Sequence, residues 1–416
     1  QAVATRGWGA AIGERLMWMV KGDRQVARLK LNPPNLGPLE VRVSVNQDQT
    51  SVSFLAQHAV VRDALEAALP RLREMFVQAG AVPVECGILQ PADTLLDLYG
   101  EDIRGRAYVT SDALRGEQML RPDFTVPVVQ MHMESHADPA RYTYAGKVFR
   151  KQDSDESRAN EYVQVGYEVF DGQAPEAADA EVFALIADAL AGLPVRAATG
   201  DIGILMAAVR GLRTTDARKA ALLRHLWRPG RFRALLQRFG GLAKPPASRV
   251  ALLAAADPFA NAGPDIGLRS RAEVAERIDA LRADAMADPI SGEELALIDA
   301  ILALRETAPN VLSALRDIAV DMPAIADAVN RMATRMEALA KRGVDVDRLE
   351  FEGSYGRTSL EYYDGFVFGF YAVDAPALPP VATGGRYDAL TARLGQGRAV
   401  PAVGGVIRPD LVEALR

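Results

Sequence analysis

Tyr162-Val163-Gln164-Val165-Gly166-Tyr167-Glu168-Val169-Phe170 is the stretch whose alternation decides how the chain is read. In an extended strand successive side chains point to opposite faces. Val163, Val165, Tyr167 and Val169 therefore share one face, and Tyr162, Gln164, Gly166 and Glu168 share the other. On that second face an amide and a carboxylate flank a glycine, each about 7 Å from the next by strand rise. A glycine inside a strand removes a side chain where something approaches closely. Two readings stand: a solvated outer face, or the wall of a pocket in which Gln164 and Glu168 hold polar or cationic groups of a ligand.

Working outward, Tyr142–Arg150 reads as the neighbouring strand, joined by the polar loop 151–160. Upstream, Leu120-Arg121-Pro122-Asp123-Phe124-Thr125 is a strand-to-helix entry. Asp123 or Thr125 is placed either to cap that helix or, with Arg150, to add polarity to the pocket. Downstream, Thr383-Gly384-Gly385-Arg386-Tyr387-Asp388 sets two glycines before an arginine. Paired glycines let backbone approach a ligand and Arg386 is suited to clamp an anion, although most such pairs are turns.

The 416 residues are too many for one ordinary core, so two or three domains are expected. The chain is 49% hydrophobic and 25% charged, with mean hydropathy near zero. Its net charge of −6 weighs against a general nucleic-acid binder. A single cysteine, Cys86, excludes an intramolecular disulfide and a thiolate metal cluster, and reads as a small buried residue. No metal site and no cofactor are expected. No apolar run is long enough to span a membrane, and residues 1–6 do not open a signal peptide, so a cytoplasmic protein is the expectation.

Residues 1–80 carry 10 Lys/Arg against 7 Asp/Glu, opposite in sign to the rest of the chain. There Leu39, Val41, Val43 and Val45 alternate with polar residues, and Val52 and Phe54 repeat the pattern after a turn over 46–50, which predicts a hairpin. Val61, Leu65, Leu69, Leu72 and Phe76 fall at helical spacing and Ala79-Gly80 supplies the stop. From residue 81 the elements lengthen: loops and strands to about 170, largely helix over 175–345, then strands and a terminal helix.

The segments Leu29–Val43 and Val61–Arg73 resemble the C-terminal domain of the flagellar hook-length control protein, over roughly residues 5–80. In that family the domain helps switch the export apparatus between substrates, a protein-binding role. Asp123 and Thr125, Phe149-Arg150, Gln164–Phe170, Leu360-Glu361-Tyr362-Tyr363 and Gly384–Asp388 together resemble histidyl-tRNA synthetase. With Val84–Asp93 and Leu96–Arg104, the stretch 81–416 is closer still to that enzyme's paralogue, the regulatory subunit of ATP phosphoribosyltransferase.

The resemblance implies an α+β fold: a class II aminoacyl-tRNA synthetase-like antiparallel sheet with a helical insertion over about 200–345, preceded by a hairpin-plus-helix module in residues 1–80. It implies a ligand site for histidine made by Asp123, Thr125, Arg150, Gln164, Glu168, Tyr362, Tyr363, Arg386 and Tyr387. Three departures point away from catalysis. Thr358 stands where the synthetase motif has an arginine, with Arg357 displaced by one. Leu411 stands at the late ATP-anchoring arginine, after Pro409. The chain stops at Arg416, leaving no anticodon-binding domain.

Each lost arginine would meet phosphate charge, at a cost of roughly 3 kcal/mol of barrier. The reading is a non-catalytic regulatory subunit, needed for activity and histidine feedback in the first step of histidine biosynthesis. Its partner would be a short-form catalytic subunit, with a self-dimer in the complex and L-histidine as effector, and with no nucleic acid or membrane. The alternatives are a divergent synthetase-like enzyme and an export switch acting through the first module. Regulatory subunits of this type enter their first strand from a helix ending in Ala-Gly. Here the helix ending at Ala79-Gly80 serves both resemblances, so the chain reads as a chimera.

Overall fold

The computed structural model describes residues 26–31, 39–46, 49–56, 59–99, 103–135, 137–151, 159–260, 262–264, 266–357 and 362–416. The chain divides into two compact units, residues 1–70 and 71–416. That division falls inside the helix Ala59–Gln78, at Pro70, ten residues before the expected boundary.

In the smaller unit the alternating segments form antiparallel strands Leu39–Asn46 and Gln49–Ala56, and a third strand, Val26–Leu31, pairs with the first. The hairpin is tighter than its sequence suggested. Asn46 pairs with Gln49, so the strands run into the expected turn and leave two residues between them.

The larger unit is built on a nine-stranded sheet. Its central six strands are all antiparallel, in the order Val195–Asp201, Phe366–Ala372, Ala382–Arg386, Ala402–Ile407, Glu161–Phe170 and Ala140–Phe149. Val82–Pro83 joins one side and Glu350–Glu352 the other, both parallel to their neighbours. A second, three-stranded sheet comprises Leu89–Pro91, Gly116–Leu120 and Val109–Asp112. The α+β class and the antiparallel sheet are those the sequence implied.

One face of the large sheet is covered by the helix Pro175–Ala189. Its Phe183 ring lies 5.2–6.2 Å from those of Phe366, Phe368 and Phe370, and the helix Ala326–Lys341 packs on it in turn. Phe76 is fully buried with its ring 5.3 Å from Tyr167, which fixes the last turns of Ala59–Gln78 on the larger unit. Between Asp201 and Glu350 runs the helical insertion, from Ile202–Gly211 to Ala326–Lys341, broken by the short strand Arg305–Thr307.

The span 175–345 is less uniformly helical than expected, because Val195–Asp201 is a central strand. Its sequence, Val-Arg-Ala-Ala-Thr-Gly-Asp, is weakly β-forming; pairing with Phe366–Ala372 at all seven positions decides its state.

Candidate functional site

The site is a cavity of about 880 Å³ on the face of the sheet opposite Phe183. Gln164 and Tyr162 of the strand Glu161–Phe170 form part of its wall, so the second face of that strand is neither outer nor solvated. Asp123, Thr125, Arg150, Tyr362 and Tyr363 complete six of the nine expected site residues that line it. The remaining three, Glu168, Arg386 and Tyr387, stand behind the wall.

Asp123 and Thr125 are brought there by the start of the helix Thr125–Ser135, where Asp123 caps and Thr125 does not. Asp123 Oδ1 accepts from Val126 N at 3.4 Å, capping the helix, while both residues also line the cavity. Thr125 Oγ1 donates instead to Glu168 Oε1 at 3.0 Å. Arg150, at the end of Ala140–Phe149, is aimed by its Nε donating to Pro122 O at 2.7 Å. Tyr362 and Tyr363 are buried edge-to-face, centroids 4.9 Å apart. The Gln164 amide oxygen is buried with no hydrogen-bond partner among the described residues, an acceptor left open in the wall.

Behind the wall, Glu168 is 1% exposed and accepts from Thr125, from Tyr144 OH at 2.8 Å and from Tyr387 OH at 2.6 Å. Among the described residues its donors are three hydroxyls and no cation. Burial raises its pKa to about 7; the hydroxyls of Tyr387, Tyr144 and Thr125 oppose the rise and Asp123 adds to it. Glu168 thus sits near its titration point at neutral pH.

Three expectations are corrected by this packing. A Cβ at Gly166 would lie 2.1 Å from Cζ of Tyr144, so the glycine admits a tyrosine of the paired strand, not a ligand. Gly384 and Gly385 likewise make room for Phe368 and Tyr363. Arg386 clamps no external anion. Its Nε and Nη2 hold Asp179 at 3.0 and 2.8 Å, its Nη1 holds Asp388, and Nη2 also reaches Pro175 O. Asp179 in turn meets Arg335, which meets Asp201 at 2.5 Å, giving a buried chain of two arginines and two aspartates.

Thr358 lies outside the described residues. Leu411 is buried in the short helix Pro409–Ala414, so no charge enters the cavity from its position. Arg408, three residues earlier, does line the cavity; it stacks 4.1 Å over Tyr162 and pairs with Asp410 at 2.7 Å.

Several residues escaped the sequence reading. Tyr144 stands opposite Gly166 in the hairpin register, and an aromatic facing a strand glycine is a readable signal. Arg357 lines the cavity and is 5% exposed. The run 210–249, which supplies its contacts Leu226 and Phe232, contains nine Arg and two Lys against Asp216 alone, a local excess hidden by the acidic total. Cys86 is half-buried and not the fully buried residue expected; what burial it has still raises its thiol pKa. Among the described residues no His/Cys/Asp/Glu cluster has metal-ligand geometry, and no helix is long and apolar enough to cross a membrane.

Residues 60–412 match the family model for histidyl-tRNA synthetase, and residues 13–91 match that for flagellar hook-length control protein FliK; the two matches overlap over 60–91. An ATP phosphoribosyltransferase regulatory subunit from Mesorhizobium japonicum is 31% identical over 373 residues, 84% of this chain and 97% of that protein. One from Agrobacterium fabrum is 32% identical over 83% of this chain and 96% of its own length. Among solved structures, a Bacillus halodurans protein described as an ATP phosphoribosyltransferase regulatory subunit/histidyl-tRNA synthetase aligns with TM-score 0.60 at 22% identity, covering 85% of this chain and 80% of its own. A histidine–tRNA ligase subunit from Alicyclobacillus acidocaldarius aligns with TM-score 0.55 at 25% identity, covering 87% and 95%.

Proposed function

The chain belongs to the histidyl-tRNA synthetase family, and from that premise we propose that it serves as the non-catalytic regulatory subunit of an ATP phosphoribosyltransferase. The observation that carries the reading is the match, nearly end to end, to relatives bearing that name. The site supports it. Gln164, Asp123, Tyr362 and Tyr363, which the resemblance assigns to a histidine site, line one cavity, while Leu411 is folded into the core where the resemblance calls for an ATP-anchoring arginine.

In this reading the chain pairs with a short-form catalytic subunit, dimerises within the complex and senses L-histidine. The imidazole or ammonium of histidine meets the unpartnered Gln164 oxygen and the face backed by Glu168. Phosphoribosyl transfer is carried out by the partner, and residues 81–416 form the working part.

Mixing the chain with an inactive short-form catalytic subunit is the test. Phosphoribosyl transfer should appear, and added histidine should suppress it. No stimulation at saturating chain would overturn the reading.

A synthetase-like ligase remains the second reading, favoured by one observation, the arginine that Arg408 brings to the cavity. Robust histidine-dependent ATP–pyrophosphate exchange would establish it. The match of residues 13–91 to the hook-length control model supports a protein-binding role for the first module; a pull-down with the membrane export-gate protein tests that role by itself.

A further inference from the structure

Arg386 and Tyr387 are consecutive residues that serve two different places. Tyr387 OH donates to Glu168 Oε2 at 2.6 Å, and its ring meets that of Tyr362, a cavity-lining residue, edge-to-face at 6.0 Å. Arg386 reaches elsewhere: its Nε and Nη2 hold Oδ1 of Asp179, whose Oδ2 accepts from Arg335 Nη1 at 3.2 Å. Arg335 lies on Ala326–Lys341, the helix that closes the insertion. Its Nη2 continues to Asp201 Oδ2 at 2.5 Å. Asp201 Oδ1 in turn caps Ile202–Gly211, the helix that opens the insertion, by accepting from Gly203 N at 2.9 Å. One line of contacts therefore runs from the cavity wall to both ends of the insertion.

The line is stiff. Glu168, Tyr387, Arg386, Asp179, Arg335 and Asp201 are each at most 8% exposed, so bulk water does not fill a gap opened between them. Buried ion pairs tolerate separation poorly, because the attraction lost is not replaced by hydration. A displaced Arg386 therefore draws Asp179 with it, and Asp179 draws Arg335. Nor does Arg386 have room to move by itself. A Cβ at Gly365 would lie 2.9 Å from its Cδ, and its Nη2 is also tied to Pro175 O at 2.6 Å. The Arg335 guanidinium is held 4.4 Å over the Phe366 ring. Close-packed interiors pass such shifts on instead of absorbing them.

We propose that this line of contacts couples the ligand cavity to the helical insertion, with Tyr387 as the positioning residue at its cavity end. The proposal rests on the reading of the cavity as a ligand site and deepens it: occupancy of the cavity is passed to the insertion through Tyr387, Arg386, Asp179 and Arg335. Such coupling is reciprocal, so a partner bound to the insertion changes how the cavity holds its ligand. Of the three hydroxyls on Glu168, that of Tyr387 alone belongs to this line. Thr125 and Tyr144 hold the same carboxylate from Thr125–Ser135 and Ala140–Phe149. Among the described residues neither is bonded to the chain of charges.

Hydrogen exchange of the full chain, read by mass spectrometry without added ligand, tests this. Tyr387→Phe and Tyr144→Phe each remove one buried hydroxyl from Glu168. Tyr387→Phe should speed exchange in Ile202–Gly211 and Ala326–Lys341 by about threefold or more, and Tyr144→Phe should leave both helices at the wild-type rate. In a background of Asp201→Asn with Arg335→Met, Tyr387→Phe should change neither helix. That background removes one buried charge of each sign, leaves Asp179 with Arg386, and keeps at position 201 a side chain able to cap. Equal effects of Tyr387→Phe and Tyr144→Phe, no effect of Tyr387→Phe, or an effect that persists in the double background would overturn the proposal. The contrast between the two tyrosines decides by itself if the double background does not fold. It is read without ligand, so it stands apart from whether histidine binds or a catalytic subunit is stimulated.

Discussion

Tyr144 lies directly across from Gly166 in the neighbouring strand, and its ring occupies the space that a side chain at 166 would need. That placement brings the Tyr144 hydroxyl within 2.8 Å of Glu168 and stacks its ring 4.3 Å from Phe124. The glycine, the tyrosine and the carboxylate form one packing unit.

Gly166→Ala should therefore be costly. A Cβ 2.1 Å from an aromatic carbon cannot be accommodated without moving fully buried Tyr144, and overpacking of this kind costs about 1–3 kcal/mol or more. Gly292→Ala, where nothing lies within 4 Å of the added carbon, should be neutral or slightly stabilising. Urea denaturation of the two variants distinguishes them; equal stability would refute the packing argument.

Stability should fall with pH through Glu168. Its folded pKa, about 7, is above its ordinary value, so the folded state keeps a proton that the unfolded state has released. The contribution is fully present below about pH 4.5 and is lost as pH rises through 7. Asp364, also raised to about 7 by burial and then by Asp388, acts in the same direction. Glu168→Gln should flatten the decline between pH 5 and 8, removing on the order of 3 kcal/mol of pH dependence. An unchanged slope in the variant would show that Glu168 does not titrate there.

Gln164→Ala should weaken L-histidine binding at least tenfold, about 1.4 kcal/mol, with little change in stability, because its buried oxygen has no protein partner to lose. Calorimetry on the isolated chain gives the affinity. Wild-type affinity in the variant would move the histidine site elsewhere.

Asp179→Ala should be among the most damaging single changes. It leaves Arg386 and Arg335 buried without their shared carboxylate, and breaking a buried pair by removing one partner costs about 3–5 kcal/mol. A loss below about 1 kcal/mol in chemical denaturation would mean that the chain of charges is not held together as drawn.

How much of this was legible depended on whether a residue's role is local. The period-2 run Tyr162–Phe170 announced its strand and its polar face, and Gln164 was found in the wall. Glu168 was placed on the pocket face, but it stands behind the wall because its three hydroxyl partners come from residues up to 219 positions away. Arg386 was misassigned for the same reason: its chemistry is settled by Asp179, 207 residues upstream. The strand Val195–Asp201 was hidden in a helical stretch because its partner, not its propensity, makes it extended. At Arg357 the one-residue displacement was visible, while its burial against the insertion was not.

The chain of charges through Asp179 has a practical meaning for recombination. Arg335 lies on the last helix of the insertion, whereas Asp201, Asp179 and Arg386 sit on or beside the sheet. A chimeric insertion swapped in from a relative would need its downstream crossover placed before Arg335, or an arginine restored at that point. Without it, the graft would arrive with its final helix unmoored, Asp201 stranded in the core and Asp179 held by Arg386 alone.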